Sequence, residues 1–158
     1  MFPTVRLVPP RPGARGIKLF NTLTGTQTFL YRLSGGRLAG RWKGRNPILL
    51  LEHVGAKSGR RRTTPLVYTE HEGDLILVAS RGGTEHHPGW FHNLRANPKT
   101  TAQVGRRKIG VTARVANDDE RERLWPMLVA ANPDYGDYEE FTDRKFPVFV
   151  LTPADPVA

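Results

Sequence analysis

The texture of apolar and polar positions changes at Pro47. Ahead of it, Ile17, Phe20, Leu23, Phe29, Leu30 and Leu33 recur at roughly helical spacing, which predicts an amphipathic helix over residues 16–33, broken near Gly25 or divided in two. Its apolar face is expected to dock on the protein's own core; the alternative is a lipid surface. Residues 1–15 hold Pro3, Pro9, Pro10 and Pro12 and read as an extended arm, because prolines so close remove helix donors and clash with the preceding turn.

Beyond Pro47 the apolar residues gather in short runs rich in Leu, Ile and Val. Strands are predicted over 48–54, 63–69, 75–80, 100–104, 108–115 and 146–151. Glu70 to Gly73 and Gly105-Arg106 read as hairpin turns. Pro88 opens a short helix that Asn97-Pro98 stops. Asn117 is a cap, followed by Asp118, Asp119 and Glu120 at the positive end of a helix; Glu120 is expected to reach back to the cap. Pro126 should kink that helix or begin another. Hairpins join most neighbouring strands, and the alternation of strand and helix needed for a parallel doubly wound sheet is missing. The fold class expected is therefore mainly β with flanking helices, an antiparallel sheet closed or nearly so. Residues 1–34 read as a basic arm and helix, and residues 35–158 as the barrel domain.

The 158 residues suit one domain, and 38% hydrophobic with 25% charged residues is too apolar for a disordered chain and too polar for an integral membrane protein. No apolar run approaches the roughly 20 residues that span a bilayer. The N-terminal stretch has no apolar signal region, so a cytoplasmic protein is expected, with peripheral contact at the inner membrane face as the variant the basic arm suggests. Cysteine is absent, which excludes disulfides, thiolate metal sites and a cysteine nucleophile.

Charge changes the picture more. Residues 1–62 hold 13 Lys/Arg against the single acid Glu52, a net of +12; the remainder carries −3, which returns the chain's +9. A field this one-sided favours an anionic partner, whether nucleic acid, acidic lipid or a polyanionic ligand.

Four segments could carry chemistry. Gly55 to Arg62 puts backbone amides, Ser58 and several cations in one turn, as a phosphate requires, although the spacing is not that of a P-loop and an ordinary polar hairpin reads equally well. Ala79 to Thr84 carries paired glycines that let backbone approach a flat ligand, or simply a loose connection. His86, His87 and His92 invite a metal, but His87 and His92 are five apart rather than four, so no metal is expected. Tyr135, Tyr138 and Phe141 recur every three residues, a core stripe or a phenol over a pocket. There is no serine-nucleophile elbow, and no nucleic-acid-binding signature accompanies the charge, so nucleic acid is not expected.

Taken in order, Gly55-Ala56-Lys57-Ser58-Gly59 through Arg62 and Pro65-Leu66, then Ala79-Ser80-Arg81-Gly82-Gly83, then His87-Pro88-Gly89-Trp90-Phe91-His92-Asn93-Leu94 to Pro98, then Tyr135 to Val148, the chain resembles the deazaflavin-dependent nitroreductase family of actinobacteria. The resemblance runs from about Pro47 to Pro153. It implies a split β-barrel of the FMN-binding, flavin-reductase type and the cofactor coenzyme F-420, an 8-hydroxy-5-deazaflavin with a phosphodiester and a poly-glutamate tail. It further implies that Lys57, Ser58, Arg60 and Arg62 hold the tail, that Pro65, Ala79, Ser80, Arg81, Gly82 and Gly83 lie along the ring and its linker, and that Trp90 flanks the ring or the substrate pocket. Tyr135 and Tyr138 would cover the acceptor, with Tyr138 orienting or protonating it. The activity implied is hydride transfer from the reduced cofactor to an electron-poor small molecule, a quinone, enone or nitro-aromatic. Barrels of this type often pair, so a homodimer is expected. The alternatives are an FMN-binding oxidoreductase on the same barrel and a non-catalytic deazaflavin or polyanion binder.

Overall fold

The computed structural model describes residues 14–42, 45–83, 85–140 and 142–154, with the side chains of 14–22 and 42 outside that description. The proline-rich arm over 1–13, the apolar side chains Ile17 and Phe20, and Thr84 and Phe141 therefore lie outside the described residues.

Strand β1 (Arg41–Trp42) leads into β2 (Asn46–Val54), which turns through the basic segment into β3 (Arg61–Val67). One residue, Tyr68, separates β3 from β4 (Thr69–His71), and a two-residue turn at Glu72-Gly73 leads to β5 (Asp74–Val78). After α2 (Gly89–Ala96), β6 (Lys99–Val104) and β7 (Arg107–Val115) form a hairpin, and β8 (Val148–Pro153) closes the chain between β7 and β5. Every pairing is antiparallel. The order is β1-β2-β6-β7-β8-β5-β4, with β3 on β2.

Closure follows from the bend at Tyr68. Residues 61–67 pair with β2 and residues 69–71 with β5, so one continuous stretch of chain joins both ends of the sheet. Beyond that bend β3 pairs only with β2, and no pairing between β3 and β5 exists among the described residues. The barrel is thus split along a seam between β3 and the end of β5. Pro65, which has no N–H to offer a neighbour, sits on the strand that borders the seam.

Alternation along the strands explains the burial. Leu49, Leu51, Leu66, Leu75, Leu77, Phe149 and Leu151 fill the barrel. Their neighbours face outward under helices. Ile48, Leu50 and Val67 pack with Tyr31 of α1 (Ala14–Ser34), and Ile76, Val78, Val148 and Val150 lie under α3 (Asp118–Ala131) and α4 (Asp134–Glu139). Strands covered on both faces read as continuous apolar runs, which is why Ile48 to Leu51 and Leu75 to Ala79 lack a polar partner phase.

Five expectations are corrected. Six predicted strands become eight, because β1 is added and Tyr68 divides the run over 63–69. The first helix is one unbroken element of 21 residues through Gly25. Its apolar side also faces the other way. Thr24, Gln27, Thr28 and Tyr31 form the docking stripe, whereas Leu23, Phe29 and Leu33 are 60%, 65% and 70% exposed. What anchors the helix is the Tyr31 hydroxyl, which donates to Ile48 O at 2.9 Å and accepts from the Gly105 N–H at 2.8 Å. Finally, α3 runs through Pro126 as one helix, and Asn117 caps it by accepting from the Glu120 N–H at 2.9 Å. The Glu120 carboxylate does not reach back to the cap. Arg114 takes it in a two-pronged ion pair of 2.6 and 2.8 Å, a stronger bond than one neutral amide offers.

Candidate functional site

Two loops meet at the same end of the barrel, and α2 spans between them. The first is the basic turn. Gly55 N–H donates to Arg60 O and Gly59 N–H to Gly55 O, each at 2.9 Å, which closes the loop. The Ser58 hydroxyl folds over Gly55, where any side chain would strike it at 2.3 Å, and accepts from the Arg60 N–H. Lys57, Arg60, Arg61 and Arg62 are exposed, and no carboxylate among the described residues pairs with Lys57, Arg60 or Arg62.

The turn is tied to the barrel through α2. Ala56 N–H donates to Asn93 Oδ1 at 2.8 Å, and Asn93 Nδ2 meets His53 Nδ1 at 2.9 Å. With its oxygen engaged, Asn93 donates there, so His53 Nδ1 accepts and the ring proton sits on Nε2, 2.9 Å from Thr64 Oγ1. Burial first, and the Arg62 guanidinium second, push the His53 pKa down from 6.5 to about 4. The ring is neutral in the folded protein at ordinary pH. Unfolded, it takes a proton near pH 6.5. Between these values the unfolded state binds the additional proton, so stability falls as pH drops from 6.5 toward 4, by about 3 kcal/mol over the window. Thermal unfolding at pH 7 and pH 4.5 should show a larger loss for the native chain than for His53→Asn, which does not titrate.

The second loop follows β5. Ala79, Ser80 and the single 3-10 turn Arg81–Gly83 are clamped by Arg144. Its guanidinium donates through Nη1 to Ala79 O at 3.1 Å and through Nη2 to Ser80 O at 2.6 Å, while Nη1 also meets His87 Nδ1 at 2.7 Å. Arg144 lies over the Phe146 ring at 4.7 Å, and His87 stacks on Phe91 at 4.2 Å. Burial, then the Arg144 charge, lower the His87 pKa, which keeps Nδ1 free to accept. Arg81 adopts φ 47°, left-handed for a residue with a side chain, and Gly83 φ 78°. A side chain at Gly83 would meet Tyr138 Cβ at 3.0 Å, so α4 rests directly on this turn.

Between the loops α2 advances about 6 Å from Gly89 to Asn93, and β2 and β5 run in the same direction, so the turns that follow them lie at one end. Lys57, Ser58, Arg60 and Arg62 therefore share one end of the barrel with Ala79, Ser80, Arg81, Gly82 and Gly83, and Pro65 borders the seam that separates the two groups. Tyr138 joins the second group through Gly83. Trp90 and Tyr135 stand apart. The Trp90 indole lies in the barrel core, edge-on to Phe149 at 5.4 Å, and only 5% of the residue is exposed. Tyr135 is buried beside Trp125, and burial drives its pKa up to about 12. A cavity of about 390 Å³ lined by Tyr31, Gly36, Tyr68 and Gly105 lies at the far end of β2 from the basic turn, remote from both loops.

His53, Asn93 and Arg144 carry this architecture, and sequence reasoning assigned none of them a role. The signal that existed for Asn93 and Arg144 was their place inside the segments His87 to Pro98 and Tyr135 to Val148; His53 stands outside both.

A closed sheet split along one seam, with unpaired cations and a glycine turn at the same end, defines a split β-barrel of the flavin-reductase type. A model of the F420H(2)-dependent quinone reductase family matches residues 23–153. The chain belongs to that family. An F420H(2)-dependent quinone reductase of Mycobacterium tuberculosis is 41% identical over 126 residues, 78% of this chain and 85% of that protein. Among solved structures, an F420-H2 dependent reductase (FDR-A) is 42% identical with a TM-score of 0.61, covering 66% of this chain and 93% of that one. A second, described as a domain-swapped dimer, is 34% identical with a TM-score of 0.64, covering 85% and 98%.

Proposed function

We propose that this chain is an oxidoreductase that uses reduced coenzyme F-420 to reduce a quinone. The observation that carries the reading is the row of exposed cations Lys57, Arg60 and Arg62, with no carboxylate partner among the described residues, at one end of an open seam. A cofactor with a phosphodiester and several carboxylates fits such a turn, through charge-assisted hydrogen bonds from the cations and Ser58. The flat ring fits the seam, along Pro65, Ala79, Ser80, Arg81, Gly82 and Gly83. When bound, the reduced cofactor supplies the hydride. The chain's own residues position and shield. Arg144 holds the ring-side carbonyls, the glycine turn permits close approach, and Tyr138 over Gly83 orients the acceptor and offers it a proton. Trp90 and Tyr135 support the site from the core.

The test is a fluorescence titration with oxidised coenzyme F-420 and, separately, FMN. Saturable binding of the first, weakened about tenfold by Lys57→Ala, is expected, since a hydrogen-bonded charge pair contributes about 1.5–3 kcal/mol. Binding of FMN alone would overturn the cofactor assignment.

In this reading residues 35–158 carry the cofactor site, and the basic arm and helix of residues 1–34 lie outside it in the sequence. None of the described helices is long and apolar enough to cross a membrane. The outward apolar side of α1, next to a net-basic N-terminal region, fits peripheral contact with an acidic lipid surface on the cytoplasmic side, where a lipophilic quinone resides. Replacing Phe29 and Leu33 by Ser should abolish co-sedimentation with phosphatidylglycerol vesicles and leave cofactor affinity unchanged. A second copy of the chain is the competing cover for the same face. Loss of a dimer in sedimentation, with no vesicle binding by the native chain, would favour it.

A further inference from the structure

The basic turn faces a problem of its own. Lys57, Arg60, Arg61 and Arg62 repel one another, and the hydrogen bonds internal to the loop, two between backbone groups and one from the Arg60 N–H to Ser58, close it without tying its tip to the rest of the barrel. Orientation comes from the side chain of Asn93. Its oxygen takes the Ala56 N–H, immediately before Lys57, and its amide rests on His53, which rests on Thr64 of β3. Asn93 and His53 are both buried. The relay therefore starts in the strand that carries Arg62 and ends at the turn's backbone. It also passes through the helix whose first residues adjoin the His87–Arg144 clamp.

We propose that Asn93, seated on His53, is a positioning residue that presets the basic turn for the cofactor's anionic tail. Asn93 sets tail affinity without touching the tail. This rests on the assignment of the tail to Lys57, Ser58, Arg60 and Arg62. The relay has one polarity. Asn93 must accept from Ala56 and donate to His53, so the imidazole must be unprotonated at Nδ1. Arg62 is the charged group that faces the ring from β3, α2 presents the neutral Asn93, and no described carboxylate pairs with the ring.

The experiment compares two ligands on the intact protein. One is coenzyme F-420 with its full tail, and the other is the same deazaflavin nucleoside lacking phosphate and glutamates. Asn93→Ala should weaken the first about tenfold and change the second less than about twofold. Amide exchange at Ala56 should accelerate in the absence of any ligand. Combining Asn93→Ala with Lys57→Ala should cost less than the sum of the two, because both act on one contact. His53→Asn keeps an acceptor for Asn93 and should retain tail-dependent affinity, whereas His53→Leu should lose it. Equal weakening of both ligands, unchanged affinity for the tailed one, or strict additivity with Lys57→Ala would overturn the proposal while the cofactor assignment stands. Failure of the native chain to bind either ligand would remove the cofactor assignment itself, and the proposal with it.

Discussion

Replacing Arg144 by Leu is expected to lower kcat/KM with reduced coenzyme F-420 and a soluble quinone by at least about 100-fold, the loss that follows when reacting groups are misplaced by about 1 Å. The guanidinium serves three acceptors on two segments. Ala79 O and Ser80 O belong to the end of β5, and His87 Nδ1 to the approach to α2. Leucine fills part of the space and leaves the Ala79 carbonyl and His87 Nδ1 without their donor. Stability should fall by about 2 kcal/mol, the cost of stranding partly buried acceptors of a charged donor. Arg144→Lys separates the two effects. One ammonium cannot span the fork, but it keeps the charge and one or two bonds, so the protein should lose less stability than with Leu and still lose much of its activity. Thermal unfolding beside steady-state kinetics reads both. A lysine variant with full activity would show that the geometry of the fork is immaterial.

The linker that bears Arg144 is held from its other side as well. Arg121, buried on α3, donates to Phe146 O at 2.8 Å and to Glu139 Oε1 at 3.3 Å, and lies over the Trp125 ring at 4.2 Å. Trp125 Nε1 donates to the other Glu139 oxygen. The end of α4, which carries Tyr138, is thus fixed against α3 as β5 is fixed against Arg144. Two arginines turn a short helix and a polar linker into a rigid wall of the site.

What was legible in the sequence is what repeats locally. Alternation and turn residues gave the hairpins of β2–β3 and β6–β7 within a few residues, and the Asn117 cap followed from its neighbours alone. The basic turn was legible because five residue types requiring explanation stand side by side. The bend at Tyr68 was not, since a strand that changes partners keeps the same apolar texture. Arg144 was not either. Its acceptors lie 57 to 65 positions away, and between Asp143 and Lys145 it reads as solvated loop. His53 stands beside Glu52 in a strand, and its partners, Thr64 on the neighbouring strand and Asn93 40 positions on, give it a reason to be buried that local sequence does not show. The outward turn of α1 was hidden for the opposite reason. Threonines and Gln27 made the docking side look polar, while the leucines suggested a core that is not there.

Gly83→Ala should impair the site as well, by a smaller factor, and a second glycine supplies the control. Gly83 has φ 78°, and an added Cβ would lie 3.0 Å from Tyr138 Cβ, 3.3 Å from its Cγ and 3.4 Å from its Cα. Gly73, in the β4–β5 turn, has φ 86° with nothing within 4 Å of an added Cβ. Both substitutions incur the left-handed backbone cost, about 1–2 kcal/mol. Only Gly83→Ala must also push on α4, because the nearest atom, Tyr138 Cβ, is fixed to the helix backbone rather than at the end of a flexible side chain and must give by a few tenths of an ångström. Gly73→Ala is therefore expected to reduce thermal stability and leave kcat/KM within about twofold. Gly83→Ala is expected to reduce stability further and lower kcat/KM by at least about tenfold, through a misplaced Tyr138. The direction of the kinetic change carries the argument. If Tyr138 acts on the acceptor, kcat and the acceptor's KM respond while affinity for the tail-less deazaflavin changes little. If the glycine turn acts chiefly on the ring, that affinity falls in step with kcat/KM. Equal activity in the two alanine variants would mean that the contact between the glycine turn and α4 has no part in the reaction.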